Sequence, residues 1–161
     1  MSKALNILMY ECARTVTKVT KTITIKAPIE EVFKRVEDPN GLPLYVPAVT
    51  NVSDVRRSEK GIGDTFRATY SLLGVHFDED FTFTEYKKGA RITARFDGSM
   101  SGTMGITLEP TGSATKATLE YDWKMPAGVL GKLANTLVAN RINEKNAERL
   151  LENLKIVCES R

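Results

Sequence analysis

A carboxylate stands among phenylalanines in the stretch HFDEDFTFTEY, residues 76–86. The stretch alternates as a half-buried strand does, because successive side chains of a strand point to opposite faces. Its inward face would carry Phe77, Glu79, Phe81 and Phe83. A buried carboxylate without a partner costs on the order of several kcal/mol, or its pKa rises until the group is neutral. Glu79 is therefore the first residue to examine for acid–base chemistry, ligand contact or a structural ion pair.

Tyrosines on neighbouring inward faces extend this chemistry. Tyr70, Tyr121 and Glu144 are the groups that could act together with Glu79. A carboxylate in an apolar pocket has a raised pKa, which favours proton transfer near neutral pH, and a tyrosine can donate to a developing enolate oxygen. Such a set suits aldol cyclisation or dehydration. Inward-facing tyrosines and Trp123 more often line a core or a cavity, so we favour binding over catalysis.

Other kinds of site lack the residues that they need. One histidine and two distant cysteines, Cys12 and Cys158, do not provide a zinc site of any usual spacing. We predict that His76 faces solvent, so a Ser–His or Cys–His nucleophile pair is not expected. The segment GIGDTF lacks the third glycine of a dinucleotide fingerprint, and GSMSG has methionine where a nucleophile elbow needs serine. We therefore expect no metal and no cofactor.

Length and composition are those of one globular domain. The chain has 161 residues, of which 42% are hydrophobic and 27% charged. We expect residues 1–14 to be an N-terminal extension and residues 15–161 to be a single domain. The net charge of +3 and its scattered basic residues give no reason to expect nucleic-acid binding. No apolar run reaches the roughly 20 residues of a membrane span, and the cysteine usage predicts a cytoplasmic protein.

The order of the elements follows from the changes in hydrophobic period. The β-branched, alternating segment at residues 15–26 predicts a first strand, and residues 29–38 have helical spacing. The proline-rich segment Pro39–Pro47 predicts a loop or a short helical turn. Six further alternating segments, joined by short turns, predict an antiparallel meander with one wet face.

The last element is a long helix. Apolar residues recur at helical spacing from Gly128 to Glu159, which predicts one helix of roughly 30 residues. The sheet has one apolar face to cover, and this helix is the only predicted element large enough. The sequence therefore predicts an α+β fold. A curved antiparallel sheet of about seven strands wraps around the C-terminal helix, and two short helices follow strand one.

This order of elements resembles the START/Bet v 1-like helix-grip superfamily (SRPBCC). The segments ITIKAPIEEVFKRVEDPNGLPLYVPAVTNV, FTEYKKGARI and GTMGITLEPTGSATKATLEYDW resemble its polyketide cyclase/dehydrase-like and coenzyme-Q-binding branches. The resemblance covers about Thr15 to Glu159. It implies a cavity between sheet and helix that holds a small hydrophobic ligand, such as a lipid, a quinone or a polyketide-like molecule. It also leaves open a cyclase or dehydratase, or a protein-interaction module, and a monomer or a homodimer.

The resemblance places the ligand on the inward side chains of the sheet and the helix. We predict a mostly apolar cavity lined by Phe66, Tyr70, Glu79, Phe81, Phe83, Met100, Met104, Tyr121, Trp123, Leu137 and Arg141. We also predict that Leu44, Tyr45 and Val46 form its mouth. These three residues lie in a proline-rich segment outside the regular strands, where local stability is low enough for ligand access. A plug at one end of the core is the alternative.

A partner is expected for Glu79 because a lone buried charge is too costly to persist. The candidates are polar residues of the long helix and the first strand: Arg141, Asn140, Asn143 and Lys21. If Glu79 forms a structural ion pair with Arg141 or Lys21, then Glu79→Gln should destabilise the fold by leaving a cation unpaired. If Glu79 contacts the ligand, the same substitution should reduce binding and leave stability nearly unchanged.

Overall fold

The structure, a computed structural model, describes residues 16–72, 74–124 and 136–160. In chain order it has β1 (Val16–Ile25), α1 (Ile29–Val36), a 3-10 turn (Pro39–Gly41), α2 (Leu42–Tyr45), β2 (Val49–Arg56), β3 (Thr65–Leu72), β4 (Val75–Lys87), β5 (Arg91–Gly98), β6 (Ser101–Thr111), β7 (Ala114–Lys124) and α3 (Thr136–Glu159). The predicted α+β helix-grip architecture is confirmed. The predicted helix from residue 128 begins at Thr136 in the described part, and residues 128–135 lie outside it.

All seven strands form one antiparallel sheet in the order β1-β7-β6-β5-β4-β3-β2. Each neighbouring pair from β2 to β7 is consecutive in the chain, because short turns join these strands. The first strand pairs with the last strand, β7, with Val16 opposite Lys124. This arrangement leaves β1 and β2 at the two edges of the sheet.

The inward side chains form transverse rows across the strands. One row runs over five strands from β3 to β7: Phe66, Phe81, Phe96, Gly102 and Trp123. The next row runs over four strands from β4 to β7: Phe83, Ala94, Met104 and Tyr121. Such rows arise because alternate residues of every strand share a face and the ladders hold the strands in register.

The C-terminal helix covers this face. Among its described side chains the buried ones are Asn143, Ala147, Leu150, Leu151, Leu154 and Cys158, which recur every three or four residues, with Leu150 and Leu151 adjacent, and form one stripe. The helix packs mainly against β1 and α2. Polar contacts tie it to the first strand and to the residue after it: Lys21 Nζ lies 2.8 Å from Glu148 Oε1 and 3.7 Å from Glu144 Oε2, and the main-chain N–H of Lys26 donates to Glu159 Oε1 at 2.6 Å.

Candidate ligand-binding site

Two adjoining cavities lie between the sheet and the C-terminal helix. The first has a volume of about 110 Å³, counted as positions that the centre of a water molecule can take, and the second about 70 Å³. Both are lined by Val46, Tyr70, Phe81, Met104 and Leu150. The first continues between the β5–β6 turn and the middle of α3, and its further lining residues are Pro47, Ala48, Phe77, Glu79, Phe96, Met100, Tyr121, Trp123, Asn143 and Asn146.

Glu79 is the only carboxylate among the described lining residues of the first cavity. Its side chain is fully buried, and its Oε1 accepts a hydrogen bond of 2.9 Å from the main-chain N–H of Met100. Its Oε2 has no hydrogen-bond partner among the described residues. Burial raises the pKa of Glu79 to about 6, although the hydrogen bond from the main chain of Met100 and the nearby main chain of Ser99 oppose the shift. The group therefore titrates close to neutral pH.

Gly98 makes room for this carboxylate. It lies opposite Glu79 in the β4–β5 ladder. A Cβ atom at residue 98 would lie 2.6 Å from Glu79 Oε2 and would also clash with the main-chain oxygen of Asp78. The absence of a side chain at this position thus lets the carboxylate fold over β5 towards the turn that carries Met100.

Trp123 and Asn143 bring two more unpartnered polar atoms to the first cavity. Each residue is 8% exposed, and neither Trp123 Nε1 nor Asn143 Nδ2 has a hydrogen-bond partner among the described residues. Trp123 lies opposite Gly102 in the β6–β7 ladder, and a Cβ atom at residue 102 would lie 2.7 Å from Trp123 Cα and 2.9 Å from the Phe96 ring. The close approach of β6 and β7 at this point therefore requires glycine.

Aromatic rings form one wall of the cavities. The rings of Phe66 and Phe81 stack with centroids 4.7 Å apart, and Phe96 lies 5.4 Å from Phe81 on the other side. The Tyr70 ring is stacked 6.4 Å from Phe81. Such a wall suits a flat or aliphatic apolar ligand.

The two tyrosines of the first cavity are protonated at neutral pH. Burial raises the pKa of Tyr121 to about 12. Burial also raises the pKa of Tyr70 well above its usual range, and the nearby Tyr121 and Glu79 add to this shift. Both hydroxyls are therefore available as hydrogen-bond donors.

Most predicted cavity residues line one of the two cavities. The first is lined by Tyr70, Glu79, Phe81, Met100, Met104, Tyr121 and Trp123, and the second by Phe66 and Phe83 as well as residues shared with the first. The side chain of Leu137 lies outside the described part of the chain. These positions follow from the alternation of each strand, which correctly assigned the inward faces.

The predicted placement of Arg141 in the cavity lining is wrong. This residue is exposed and lines neither cavity, whereas Asn143 is buried and faces the first one. Two residues are about 200° apart around an α-helix, so the two side chains point in nearly opposite directions. The alternative in which Glu79 forms a structural ion pair is not supported, because Lys21 lies beside Glu148 and Glu144 and Arg141 is exposed. The hydrogen bond to Glu79 comes from the main chain of the β5–β6 turn instead.

The three residues of the predicted cavity mouth lie in different environments. Leu44 is 62% exposed and lines neither cavity. Tyr45 and Val46 are buried, with Tyr45 in the wall of the second cavity and Val46 in both. The carbonyl oxygen of Tyr45 accepts a hydrogen bond of 3.4 Å from Asn153 Nδ2. Gating by this segment stays a prediction.

Several lining residues were missed by the sequence analysis. The predicted lining did not include Phe77, Phe96, Pro47, Ala48, Asn146 or Leu150. The segment GSMSG, residues 98–102, was considered only as a nucleophile elbow. Its two glycines were the available signal, because a glycine within a strand often marks a close approach of another group.

Within residues 16–72, 74–124 and 136–160, no three His, Cys, Asp or Glu side chains are grouped so that they could hold a metal ion. No helix in the same ranges has the length and apolar character needed to cross a membrane.

The fold and the cavity define a class of protein in which a curved sheet grips a C-terminal helix around an internal site. The family described as polyketide cyclase / dehydrase and lipid transport matches residues 16–159, and the chain belongs to this family. No functionally curated protein matches the chain in sequence.

Solved structures share the fold at low sequence identity. A START superfamily protein from Mycobacterium smegmatis is 16% identical over 89% of this chain and 97% of its own, with a TM-score of 0.76. The Zhui aromatase/cyclase from Streptomyces sp. R1128 is 16% identical over 89% and 94%, with a TM-score of 0.71. A protein from Thermus thermophilus is 22% identical over 86% and 94%, with a TM-score of 0.70. These likenesses establish the START/Bet v 1 fold.

Proposed function

We propose that this protein binds or carries a small hydrophobic molecule in the cavity between the sheet and the C-terminal helix. The observation that carries the proposal is the composition of the first cavity. Its wall is mostly apolar, yet three buried polar atoms, Glu79 Oε2, Trp123 Nε1 and Asn143 Nδ2, have no hydrogen-bond partner among the described residues. Buried polar atoms are nearly always paired, and ligand sites commonly place a few polar groups in an apolar wall.

The remaining wall suits a ligand whose shape is not narrowly specified. Met100 and Met104 line the first cavity beside the aromatic row. Methionine side chains are flexible and polarisable, so they adapt to irregular apolar surfaces. Lipids, quinones and polyketide-like molecules are the ligand classes that we expect to compete for this site.

Native mass spectrometry and thermal shift measurements test the proposal. The protein should carry an extractable hydrophobic molecule after expression, or its melting temperature should rise with a lipid or a quinone. The variant Ala48→Trp would fill the first cavity from its lining and should lose the ligand or the shift. The matched control Ala114→Trp changes a half-buried alanine that lines neither cavity, and it should retain both.

The absence of any bound ligand would contradict this proposal and favour another function. A wild-type protein that carries no extractable molecule and shows no shift with any of these ligand classes would contradict binding. A protein-interaction module would then be favoured. A pull-down compared with a lipid extract from the same lysate distinguishes the two.

A second candidate function, a cyclase or dehydratase, is supported by one observation. The carboxylate of Glu79 has a pKa of about 6 and shares the first cavity with the hydroxyl of Tyr70. A carboxylate with this pKa can take a proton from a carbon next to a carbonyl, and a protonated tyrosine can stabilise the enolate oxygen that forms. A pH–rate profile of the wild type and of Glu79→Gln tests this function.

A further inference from the structure

The polar atoms of the first cavity differ in the kind of hydrogen bond that they can make. This inference rests on the proposed binding function and concerns the chemistry of the ligand. When ionised, Glu79 can only accept hydrogen bonds, and Met100 already satisfies one of its two oxygens. The other oxygen, Oε2, is buried and unpartnered among the described residues. A ligand that donates a hydrogen bond is the partner that this oxygen lacks.

Trp123 has the opposite requirement. An indole N–H can only donate, and the N–H of Trp123 is buried without a partner among the described residues. Asn143 lies on the same cavity, and its amide can present either a donor or an acceptor. The ligand atom at Trp123 must therefore be an acceptor, such as a carbonyl oxygen.

Strand positions separate these two contacts. Glu79 Oε2 lies over Gly98 on β5, whereas Trp123 belongs to β7, two strands away. Neighbouring strands are about 4.8 Å apart, so the backbone positions of Gly98 and Trp123 are separated by roughly 10 Å across the sheet. Two different groups of the ligand are therefore assigned to the donor and the acceptor contact.

The charge of the cavity lining narrows the class of ligand further. Among the described residues that line the first cavity there is no lysine, arginine or histidine, and the charged group there is Glu79. A carboxylate or phosphate on the ligand would be desolvated beside a like charge without a cation to compensate it. Anionic lipids are therefore disfavoured.

We propose that the cavity selects a neutral hydrophobic molecule that carries a hydroxyl group at one end, bound by Glu79, and a carbonyl oxygen at the other, bound by Trp123. Neutral molecules that lack the hydroxyl bind more weakly, and carboxylates of the same size are rejected. The hydroxyl is the selected group because its loss leaves a buried carboxylate oxygen unpaired.

Three naphthalene compounds test this selection at pH 8. They are 6-acetyl-2-naphthol, its methyl ether 2-acetyl-6-methoxynaphthalene, and 6-hydroxy-2-naphthoate. Trp123 is the single tryptophan of the chain, so the spectrum of ¹⁵N-labelled protein contains one indole resonance that reports on this hydrogen bond. We expect the naphthol to bind about tenfold more tightly than the ether, to move the indole resonance downfield, and to bind more tightly than the naphthoate.

The variant Glu79→Gln should reverse the first preference. Glutamine can present N–H to the cavity, so the ether should bind it as well as or better than the naphthol does. Trp123→Phe should weaken both compounds and keep the wild-type preference for the naphthol. Should Glu79→Gln fail to fold, the three compounds on the wild-type protein decide the matter alone.

The outcomes separate this inference from the proposed function. Equal binding of the naphthol and the ether, or tighter binding of the naphthoate, overturns the ligand class and leaves hydrophobic binding intact. Absence of binding by all three compounds, with a ligand found by extraction, overturns the ligand class alone. Absence of any bound molecule in both experiments overturns the two proposals together.

Discussion

Gly98 faces Glu79 across the β4–β5 ladder, and the carboxylate of Glu79 occupies the space that a side chain at residue 98 would need. The pair explains how a charged group fits within a row of inward apolar residues. The strand opposite supplies an empty position, and the following turn supplies the main-chain N–H of Met100. The carboxylate is therefore held by the backbone rather than by a cation.

Substitution of Gly98 by alanine should disturb both the fold and the cavity. The added methyl group would lie 2.6 Å from Glu79 Oε2 and clash with main chain that cannot move freely. We expect a loss of about 1–3 kcal/mol in the free energy of unfolding, as for other overpacked sites. Gly41→Ala is the control, since its Cβ atom would lie 3.6 Å or more from its neighbours and its φ is −79°. Equal stability of the two variants in urea denaturation would contradict the assigned position of the carboxylate.

The pH dependence of stability should report the buried carboxylate. The pKa of Glu79 is about 6 in the folded protein and 4.5 in the reference state, so the folded state binds the proton more tightly. Wild-type stability should therefore fall relative to Glu79→Gln as the pH rises from about 4 to 7. The change should be about 2 kcal/mol, because one pKa unit corresponds to about 1.4 kcal/mol.

A carboxylate on the outer surface of the sheet provides a control, because its effect on stability should change with pH in the opposite direction. The Arg91 guanidinium lies 2.9 Å from Glu85 and lowers the pKa of that carboxyl group. The stabilising effect of this ion pair should be present above the pKa of Glu85 in the unfolded state and lost as the pH falls. The stability of the wild type should therefore increase relative to that of Glu85→Gln as the pH rises. Chemical denaturation at several pH values measures both differences. Parallel pH profiles for wild type and Glu79→Gln would rule out a raised pKa at Glu79.

Catalysis would leave a different signature. In the enzyme case, kcat/KM should rise with pH through about 6 as Glu79 becomes a base, and this limb should be absent from Glu79→Gln. Tyr70→Phe should lower kcat by about 10²-fold through loss of a donor to the enolate oxygen. Tyr86→Phe is the matched control, because its hydroxyl donates to Glu37 outside both cavities. Unchanged kcat in Tyr70→Phe would remove this tyrosine from the reaction.

The segment Pro39–Pro47 should open more readily than the strands. Its helix α2 is a single turn in which the N–H of Val46 donates to Leu42 at 2.8 Å, and Leu44 beside it is exposed. We expect amide exchange at residues 44–46 to be at least about tenfold faster than in β5, and to slow when a ligand is bound. Hydrogen exchange followed by NMR measures both rates. Exchange at residues 44–46 as slow as in β5 would favour a fixed plug.

The fold was predictable because its signals are periodic. Alternation placed Phe81, Phe83 and Glu79 on one face, and the ladders keep that face inward over the whole sheet. The change from period two to helical spacing predicted the covering helix. These features depend on many residues at once, so a single exception such as Glu79 does not change the result.

The partners of the polar groups were not predictable in the same way. The hydrogen bond to Glu79 comes from a main-chain N–H, whose direction depends on turn geometry that residue types do not specify. Arg141 and Asn143 were both candidates for contact with Glu79, and the helix phase brings Asn143 and not Arg141 inward. An error of two residues is small in sequence and about 200° in space. The sequence therefore identified the carboxylate and not its surroundings.

The polar contacts of α3 make the grip one-sided. Lys21 lies beside Glu148 near the middle of the helix and the main-chain N–H of Lys26 donates to Glu159 at its end, while the described part of α3 has few contacts with β7 and packs mainly on β1 and α2. The helix α2 also packs against β2, so both edges of the sheet are linked to α3, β1 directly and β2 through α2. We therefore expect a bulky guest to leave the Lys21–Glu148 distance unchanged and to increase the separation between the middle strands and the helix.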